Sequence, residues 1–234
     1  MLTYHAISSP PRGTTYRGIF YESRNFARQL AELRAAGFKS TPPSGAIEKI
    51  VGGDGNPDRK ITLTFDDGYR SVVEAALPVL KETGFSATVF LVADRLGGSN
   101  DWDACEGVVS TSLMDVAQVR EWIAAGNRIG SHTLSHPHLQ RIPLTRAREE
   151  IQSSKRKLED LFGTAVEDFC YPYGHYNEAV VELVREAGYL TACTTRFGLN
   201  QSTSPALELN RLIVRRPVRS LKTFKAWLRR LWRR

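Results

Sequence analysis

The chain has 234 residues, 41% of them hydrophobic and 24% charged, and no run approaches the 18 apolar residues of a membrane-spanning helix. The net charge of +7 belongs to the end of the chain, because ten Lys/Arg and no acid lie in residues 211–234. The first 210 residues carry 22 basic and 25 acidic side chains, a net charge of −3. We therefore expect no nucleic-acid partner.

Short apolar runs alternate with amphipathic segments, which predicts a parallel α/β architecture. The predicted strands are residues 1–5, 61–65, 87–92, 128–131, 167–171, 189–193 and 211–214. The predicted helices are residues 23–36, 70–83, 113–125, 143–162, 176–187 and 220–233. We expect a single distorted (β/α)7-type barrel over residues 1–219. A basic amphipathic C-terminal helix over residues 220–234 follows it and is not a separate domain.

Two adjacent carboxylates, Asp66 and Asp67, end the predicted strand 61–65, in the sequence TFDDG. Successive side chains on a strand point to opposite sides, so the two acids can take different tasks, one on a metal and one on a water. Downstream, His132 and His136 lie in the sequence HTLSH. One carboxylate and two imidazoles make three protein ligands and leave a metal position open, which predicts a hydrolase site.

A third segment, YPYG at residues 171–174, follows the predicted strand 167–171. Pro172 fixes the local φ and Gly174 permits a tight turn. Such a turn can aim the backbone N–H of Tyr173 at a developing oxyanion. Taken alone, the segment is equally typical of a strand-to-loop junction with aromatic packing.

In this order the three segments resemble the polysaccharide deacetylase family, carbohydrate esterase family 4. TFDDG is the family's first motif, and HTLSH fits the second, H-[ST]-x-x-H. The third motif, R-x-P-Y, is met only in part, because Cys170 stands in the position of the arginine. The resemblance covers roughly residues 60–200. The start YHAI at residues 4–7 resembles the Y-H-x-I of the circularly permuted poly-β-1,6-N-acetylglucosamine deacetylase branch.

The resemblance implies that Asp67, His132 and His136 bind one divalent metal, with zinc favoured and cobalt or nickel as alternatives. It also implies that Asp66 is the general base for the attacking water and that the Tyr173 N–H stabilises the oxyanion. The implied reaction removes N-acetyl groups from an amino-sugar polymer or a lipid-linked amino sugar, in exopolysaccharide or cell-envelope biosynthesis.

Two groups of the family are missing from their usual places. The late L-x-H motif that commonly supplies the general acid is absent, since no histidine follows His175. In a permuted barrel His5 would reach the same place, and we assign it as general acid; the alternative is a histidine that caps the first strand. The motif arginine is replaced by Cys170, and our hypothesis is that Arg211 supplies its guanidinium from another strand end.

The C-terminal segment 221–234 gathers its apolar side chains within an arc of roughly 140° when plotted as a helix, with Lys/Arg around the remainder. This helix either packs on the barrel or makes peripheral contact with an anionic membrane. Three cysteines without CxxC spacing and a start without leader-like regions favour the cytoplasm, on the inner face of the membrane. A secreted protein that has lost its leader is the alternative.

Two other functions stay open at this point. One is an amidase or deformylase that acts on a non-polymeric substrate. The other is a non-catalytic relative that binds sugar. The intact pair Asp66–Asp67 argues against the latter, because a binding module has no need of a general base.

Overall fold

The computed structural model describes residues 1–45, 59–201 and 203–215. Seven parallel strands form one curled sheet in the spatial order β8-β7-β6-β5-β4-β1-β9, and a pair of two-residue strands, β2 and β3, lies apart. In chain order the strands are β1 Leu2–Tyr4, β2 Lys39–Ser40, β3 Lys60–Ile61, β4 Leu63–Phe65, β5 Thr88–Leu91, β6 Arg128–Ser131, β7 Asp168–Cys170, β8 Thr191–Cys193 and β9 Leu212–Ile213.

Within the described residues, five α-helices cover the sheet. They are α1 Ser23–Ala35, α2 Leu77–Thr83, α3 Val116–Ala124, α4 Leu144–Phe162 and α5 Glu178–Glu186. A π-helical segment, Val72–Ala76, leads into α2. The curled sheet with its helices confirms the predicted distorted barrel. The predicted helix 220–233 lies outside the described residues. Within the described part, no helix is both long enough and apolar enough to cross a membrane.

Capping residues explain where α3 begins and where α2 ends. Asp115 accepts a hydrogen bond from the Gln118 N–H while the Gln118 side chain accepts one from the Asp115 N–H, so α3 begins at Val116 and not at the predicted residue 113. At the other end of a helix, Gly84 adopts a φ of 69° and stops α2. Glycine adopts this left-handed conformation without a steric penalty.

The core lies between the sheet and its helices, and one part of it, next to α1 and α3, is aromatic. Tyr4 of β1 packs against Phe26 and Phe65 with ring centroids 5.1 and 5.4 Å apart, and Trp122 meets the ring of Phe65 edge-on. All four rings are fully buried. Such aromatic pairs add about 0.5–1.5 kcal/mol each beyond the burial of their area. The cluster therefore fixes β1 beside β4, which places the residues that follow the two strands side by side.

The centre of the sheet requires one glycine. A Cβ built on Gly130 of β6 would lie 2.5 Å from the ring of Phe90 and 2.8 Å from the Asp168 carbonyl oxygen. Only glycine lets β5, β6 and β7 approach this closely. Because the strands are parallel, their carboxyl ends meet at one edge, where α/β barrels carry their chemistry.

Candidate active site

A cavity of about 410 Å³ opens at the carboxyl ends of the strands. Its wall includes the segments that directly follow β1, β4, β6 and β7, together with Ile213 of β9. The structure brings all seven predicted site residues together at this cavity. Six line its wall and the seventh, Arg211, is fully buried behind Asp66: His5, Asp66, Asp67, His132, His136, Tyr173 and Arg211.

The turn after β4 sends the two carboxylates to different partners. Asp66 still belongs to the sheet, since its N–H donates to the Tyr4 carbonyl of β1 at 3.0 Å. Asp67 has a φ of 70° and Gly68 one of 75°, so the chain leaves the strand abruptly between the two acids. A non-glycine residue at positive φ costs about 1–3 kcal/mol, and such strain clusters at functional sites.

Asp67 faces two imidazoles. Its Oδ1 lies 3.5 Å from His132 Nε2 and 3.4 Å from His136 Nε2, and all three side chains are buried. Two ligand atoms that each sit about 2.0–2.1 Å from a tetrahedral zinc are about 3.3 Å apart. The spacing and the donor types therefore fit a divalent metal.

A hydrogen bond of His132 sets its tautomer for this purpose. His132 Nδ1 lies 2.7 Å from the Cys170 carbonyl oxygen, which can only accept, so Nδ1 carries the proton and Nε2 directs a lone pair towards Asp67. Burial, followed by the nearby His136, lowers the pKa of His132 to about 4, which keeps the ring neutral at pH 7. For Asp67, burial opposes ionisation, but His136 and the other histidines outweigh it and hold the pKa below its usual range.

Arg211 forms a bidentate ion pair with Asp66. Nη1 donates to Asp66 Oδ1 and Nη2 to Asp66 Oδ2, each at 2.8 Å. The remaining donors are used as well: Nε bonds the Thr194 carbonyl oxygen at 2.8 Å, and Nη1 also reaches Thr64 Oγ1 at 3.2 Å. Burial alone would raise the pKa of Asp66, but the charge and hydrogen bonds of Arg211 lower it below its ordinary value.

Cys170 occupies the position of the motif arginine and contacts Arg211. Its Sγ lies 3.1 Å from Arg211 Nη2, and burial raises the pKa of the thiol well above its ordinary value. Asp66, His132 and Cys170 also place donor atoms within 4.8 Å of one another. This second set is a poor metal site, because its thiol is protonated and Arg211 already holds both oxygens of Asp66.

His5 and Tyr173 complete the wall of the cavity. His5 follows β1, and its Nε2 lies 3.9 Å from Asp66 Oδ2 with 21% of the side chain exposed. Tyr173 lies in the turn after β7 with a φ of 59°. Its ring meets His136 edge-on at 4.6 Å. The geometry thus agrees with the predicted positions, while the role of each residue stays a prediction.

Two contacts lie outside the predicted site. Glu150, on α4, has a fully buried carboxylate that accepts hydrogen bonds from the N–H groups of Leu134 and Ser135, both at 2.9 Å, and from the Ser135 hydroxyl at 2.6 Å. Trp102 stacks on the His136 ring at 4.7 Å. Glu150 looks like any acid on the polar face of a helix, so nothing in the sequence distinguishes it.

Comparison with known proteins identifies the family. The model of the polysaccharide deacetylase family matches residues 53–192, more than half of the chain, and the chain belongs to this family. Membership implies hydrolase activity on N-acetylated amino sugars, and it confirms the resemblance carried by the sequence motifs.

Individual relatives agree with the assignment. The chain is 27% identical over 214 residues to YxkH of Bacillus subtilis (strain 168), a protein whose name associates it with the polysaccharide deacetylases; the match covers 92% of this chain and 70% of YxkH. Poly-beta-1,6-N-acetyl-D-glucosamine N-deacetylase of Staphylococcus aureus (strain MRSA252) is 24% identical over 137 residues, which is 56% of this chain and 46% of that protein. The structure of IcaB from Ammonifex degensii has a TM-score of 0.80 at 26% identity, over 97% of this chain and 94% of that one.

Proposed function

We propose that this chain is a metal-dependent carbohydrate N-deacetylase that releases acetate from an amino-sugar polymer or a lipid-linked amino sugar. The observation that supports the proposal is that two adjacent acids in one cavity have different partners. Asp67 faces two imidazoles at 3.4 and 3.5 Å, and Asp66, next to it, is held by Arg211 at 2.8 Å. A metal site beside an oriented carboxylate is the arrangement that amide hydrolysis needs.

In this proposal Asp67, His132 and His136 hold one divalent metal, with zinc favoured by two nitrogen donors and one oxygen donor. When bound, the metal supplies Lewis acidity towards the acyl oxygen and the attacking water. The other groups of the cavity transfer protons and stabilise the charge that develops on the acyl oxygen.

Asp66 takes a proton from the attacking water as the water oxygen bonds to the acyl carbon. Arg211 is a positioning residue in this step: it keeps the carboxylate ionised and directs it, while each carboxylate oxygen retains a lone pair for the water. The Tyr173 N–H donates to the oxyanion that forms. His5 then gives a proton to the nitrogen, the C–N bond breaks, and the products are acetate and a free amine.

The assignment of His5 rests on its place beside the base. His5 follows β1 and Asp66 follows β4, and these two strands are neighbours in the sheet. The 3.9 Å between His5 Nε2 and Asp66 Oδ2 leaves the two groups close enough to serve the same small substrate group. A proton acceptor and a proton donor on adjacent strand ends satisfy both halves of the hydrolysis.

The sugar part of the proposal is supported by the relatives. The S. aureus protein is named for poly-beta-1,6-N-acetyl-D-glucosamine, and its match covers 56% of this chain. A cavity open to solvent through Tyr16 and His175 leaves room for a substrate larger than the acetamide group. A lipid-linked amino sugar is the alternative substrate.

The first experiment measures amine release from N-acetylglucosamine oligomers by zinc-loaded protein, chelated protein and the variant His5→Ala. We expect turnover only with metal, and a loss on the order of 10²-fold in His5→Ala. Metal bound without amine release from oligomers, but with release from small N-formyl or N-acetyl compounds, would favour the amidase or deformylase alternative.

A matched pair of acids separates an enzyme from a sugar-binding relative. Asp66→Asn should lose turnover and keep the metal. Asp103→Asn alters another acid of the same cavity, one whose Oδ2 accepts from Asn100 and Tyr69, and should keep turnover. No turnover by the zinc-loaded wild type on oligomers or small amides would end the catalytic proposal.

A further inference from the structure

Two histidines at the cavity take no part in the proposed chemistry. His138 follows the HTLSH motif after β6, and His175 follows the turn after β7. Their Nδ1 atoms lie 3.3 Å apart, and their rings are nearly parallel at 23° with centroids 5.5 Å apart. His175 is exposed and His138 is half-buried, so solvent reaches the pair.

The separation of the two nitrogens is the one that a metal imposes. Two imidazoles on a tetrahedral zinc, each about 2.0–2.1 Å from it, hold their nitrogens about 3.3 Å apart. The pair matches that value as closely as Asp67 and its two histidines do, at 3.4 and 3.5 Å. Without metal, the same distance suits an N–H···N hydrogen bond between the Nδ1 atoms of two neutral rings. A metal that binds both Nδ1 atoms displaces the proton of that hydrogen bond.

We propose that His138 and His175 form a second transition-metal site at the mouth of the cavity. Its ligands are two imidazoles and water, so it binds more weakly than a buried site with three protein ligands. Imidazole pairs suit nickel, copper and zinc, and affinities should rank copper above both nickel and zinc. The chain has five histidines and the other three belong to the proposed catalytic site, so no further imidazole completes the second one.

Occupation of this site has a consequence for turnover. The ring of His138 stacks on Tyr173 with centroids 3.9 Å apart, and both histidines line the cavity. A metal held between the loops after β6 and β7 would, with its bound water, occupy part of the entrance next to Tyr173. Metal in excess of one equivalent inhibits the protein by this route.

Equilibrium dialysis against zinc, and separately against nickel, tests the site without any reliance on deacetylation. We expect two equivalents bound by the wild type and one fewer by each of His138→Gln and His175→Ala. Arg141→Ala is the control, because it changes the same cavity rim and removes no imidazole, and it should bind as the wild type does. Circular dichroism verifies that each variant is folded, and His175→Gln replaces His175→Ala if the latter is not.

Two results overturn the proposal. One is a wild type that binds a single equivalent of both metals at millimolar concentration and loses that equivalent in the variant Asp67→Ala. The other is retention of the second equivalent by a folded variant of either histidine. Because the comparison is a difference of one equivalent, it holds whether or not Asp67 and its histidines are loaded, so a failure here is distinct from a failure of the proposed function. Where turnover is measurable, excess zinc should lower it several-fold in the wild type and leave His175→Ala unaffected.

Discussion

At the scale of single residues, the pair Asp66–Arg211 dominates the site. The two side chains are 145 positions apart, fully or nearly fully buried, and joined by two hydrogen bonds of 2.8 Å. The two parallel hydrogen bonds of the guanidinium fix the orientation of the Asp66 carboxylate as well as balancing its charge. A lysine could balance the charge but could not form this bidentate pair. A buried carboxylate without such a partner costs several kcal/mol.

Replacement of Arg211 should therefore affect both stability and turnover. We expect Arg211→Ala to lower the free energy of unfolding by about 3–5 kcal/mol, because Asp66 is left as an uncompensated buried charge. Arg211→Lys keeps the charge but loses the fork, and we expect turnover to fall on the order of 10²-fold with a smaller loss of stability. Chemical denaturation and amine release measure the two effects.

The control for this prediction is Arg196→Ala. Arg196 is half-exposed and pairs with Glu208 at 3.4 Å, so its loss should cost no more than about 1 kcal/mol. Unchanged turnover and stability in Arg211→Ala would contradict the positioning role.

Asp168 predicts a pH dependence of stability. Burial raises its pKa to about 6, against the hydrogen bonds from Thr191 and the Ser44 backbone. Since the folded state holds the proton more tightly than the unfolded state, the stabilisation is complete below about pH 4 and is lost as the pH rises through about 6. A shift of about two units corresponds to about 3 kcal/mol.

The measurement compares the free energy of unfolding of the wild type and Asp168→Asn from pH 4 to pH 7. The asparagine does not titrate, so the variant should gain about 3 kcal/mol relative to the wild type over this range. A difference that stays constant with pH would show that Asp168 titrates alike in both states.

The sequence predicts some residues of the site more securely than others. Asp66 and Asp67 are adjacent and His132 and His136 are four apart, so local spacing alone brings each pair together. Arg211 has no local relation to Asp66, and only the missing motif arginine suggested it. The contact depends on β9 lying beside β1, which is a property of the whole sheet.

At the scale of elements, the loop after β6 is held to α4 by hydrogen bonds. The carboxylate of Glu150 accepts three hydrogen bonds from residues 134–135, inside the HTLSH segment, and Arg146 pairs with its outer oxygen at 2.8 Å. This contact holds a loop in which Thr133 and His136 both have positive φ. The helix thus stabilises a conformation that the loop would not keep by itself.

Glu150→Gln should loosen this loop. The amide presents two N–H donors where the loop offers donors of its own, so we expect metal affinity to fall roughly 10–100-fold. Glu149→Gln is the matched control, because Glu149 is exposed and pairs with Arg146 at 2.8 Å, and it should bind metal as the wild type does. Zinc titration measures the metal affinity of both variants. Equal affinities would contradict the proposed role of the Glu150 hydrogen bonds in holding the loop.

The seven strands of the curled sheet were predictable because they lie in short runs that alternate with amphipathic segments, and most of their side chains are buried. The strands β2 and β3 were not, since they pair Lys39 with Lys60 and Ser40 with Ile61, residues 21 positions apart in the sequence, and show no apolar alternation. The π-helical turn Val72–Ala76 was also missed. Its hydrogen bonds span five residues where those of an α-helix span four, a difference that an apolar pattern of this length does not resolve.

At the scale of the whole molecule, the basic end of the chain gives the remaining prediction. Residues 220–234 lie outside the described part of the structure, so the amphipathic helix and its membrane contact stay predictions, as do the boundary at residue 219 and the cytoplasmic location. We expect the full chain to bind vesicles rich in anionic lipid, and a chain ending at residue 219 to bind them far less, since each Lys/Arg contributes about 1 kcal/mol.

Vesicle co-sedimentation tests this prediction. Binding should weaken as salt rises from 0.05 to 0.5 M and be absent with neutral lipid. Equal sedimentation of the two chains would assign the apolar stripe to the barrel instead.

The strand order also has a kinetic consequence. β1 has β4 on one side and β9 on the other, and β9 follows β1 by about 210 residues, so one edge of β1 stays unpaired until β9 has been made. Until β9 arrives, that edge is open to other chains, and the Asp66 carboxylate is without Arg211. Completion of the pocket and pairing of this edge then both depend on the synthesis of β9, and a ribosome that stalls before residue 211 releases a chain that can do neither.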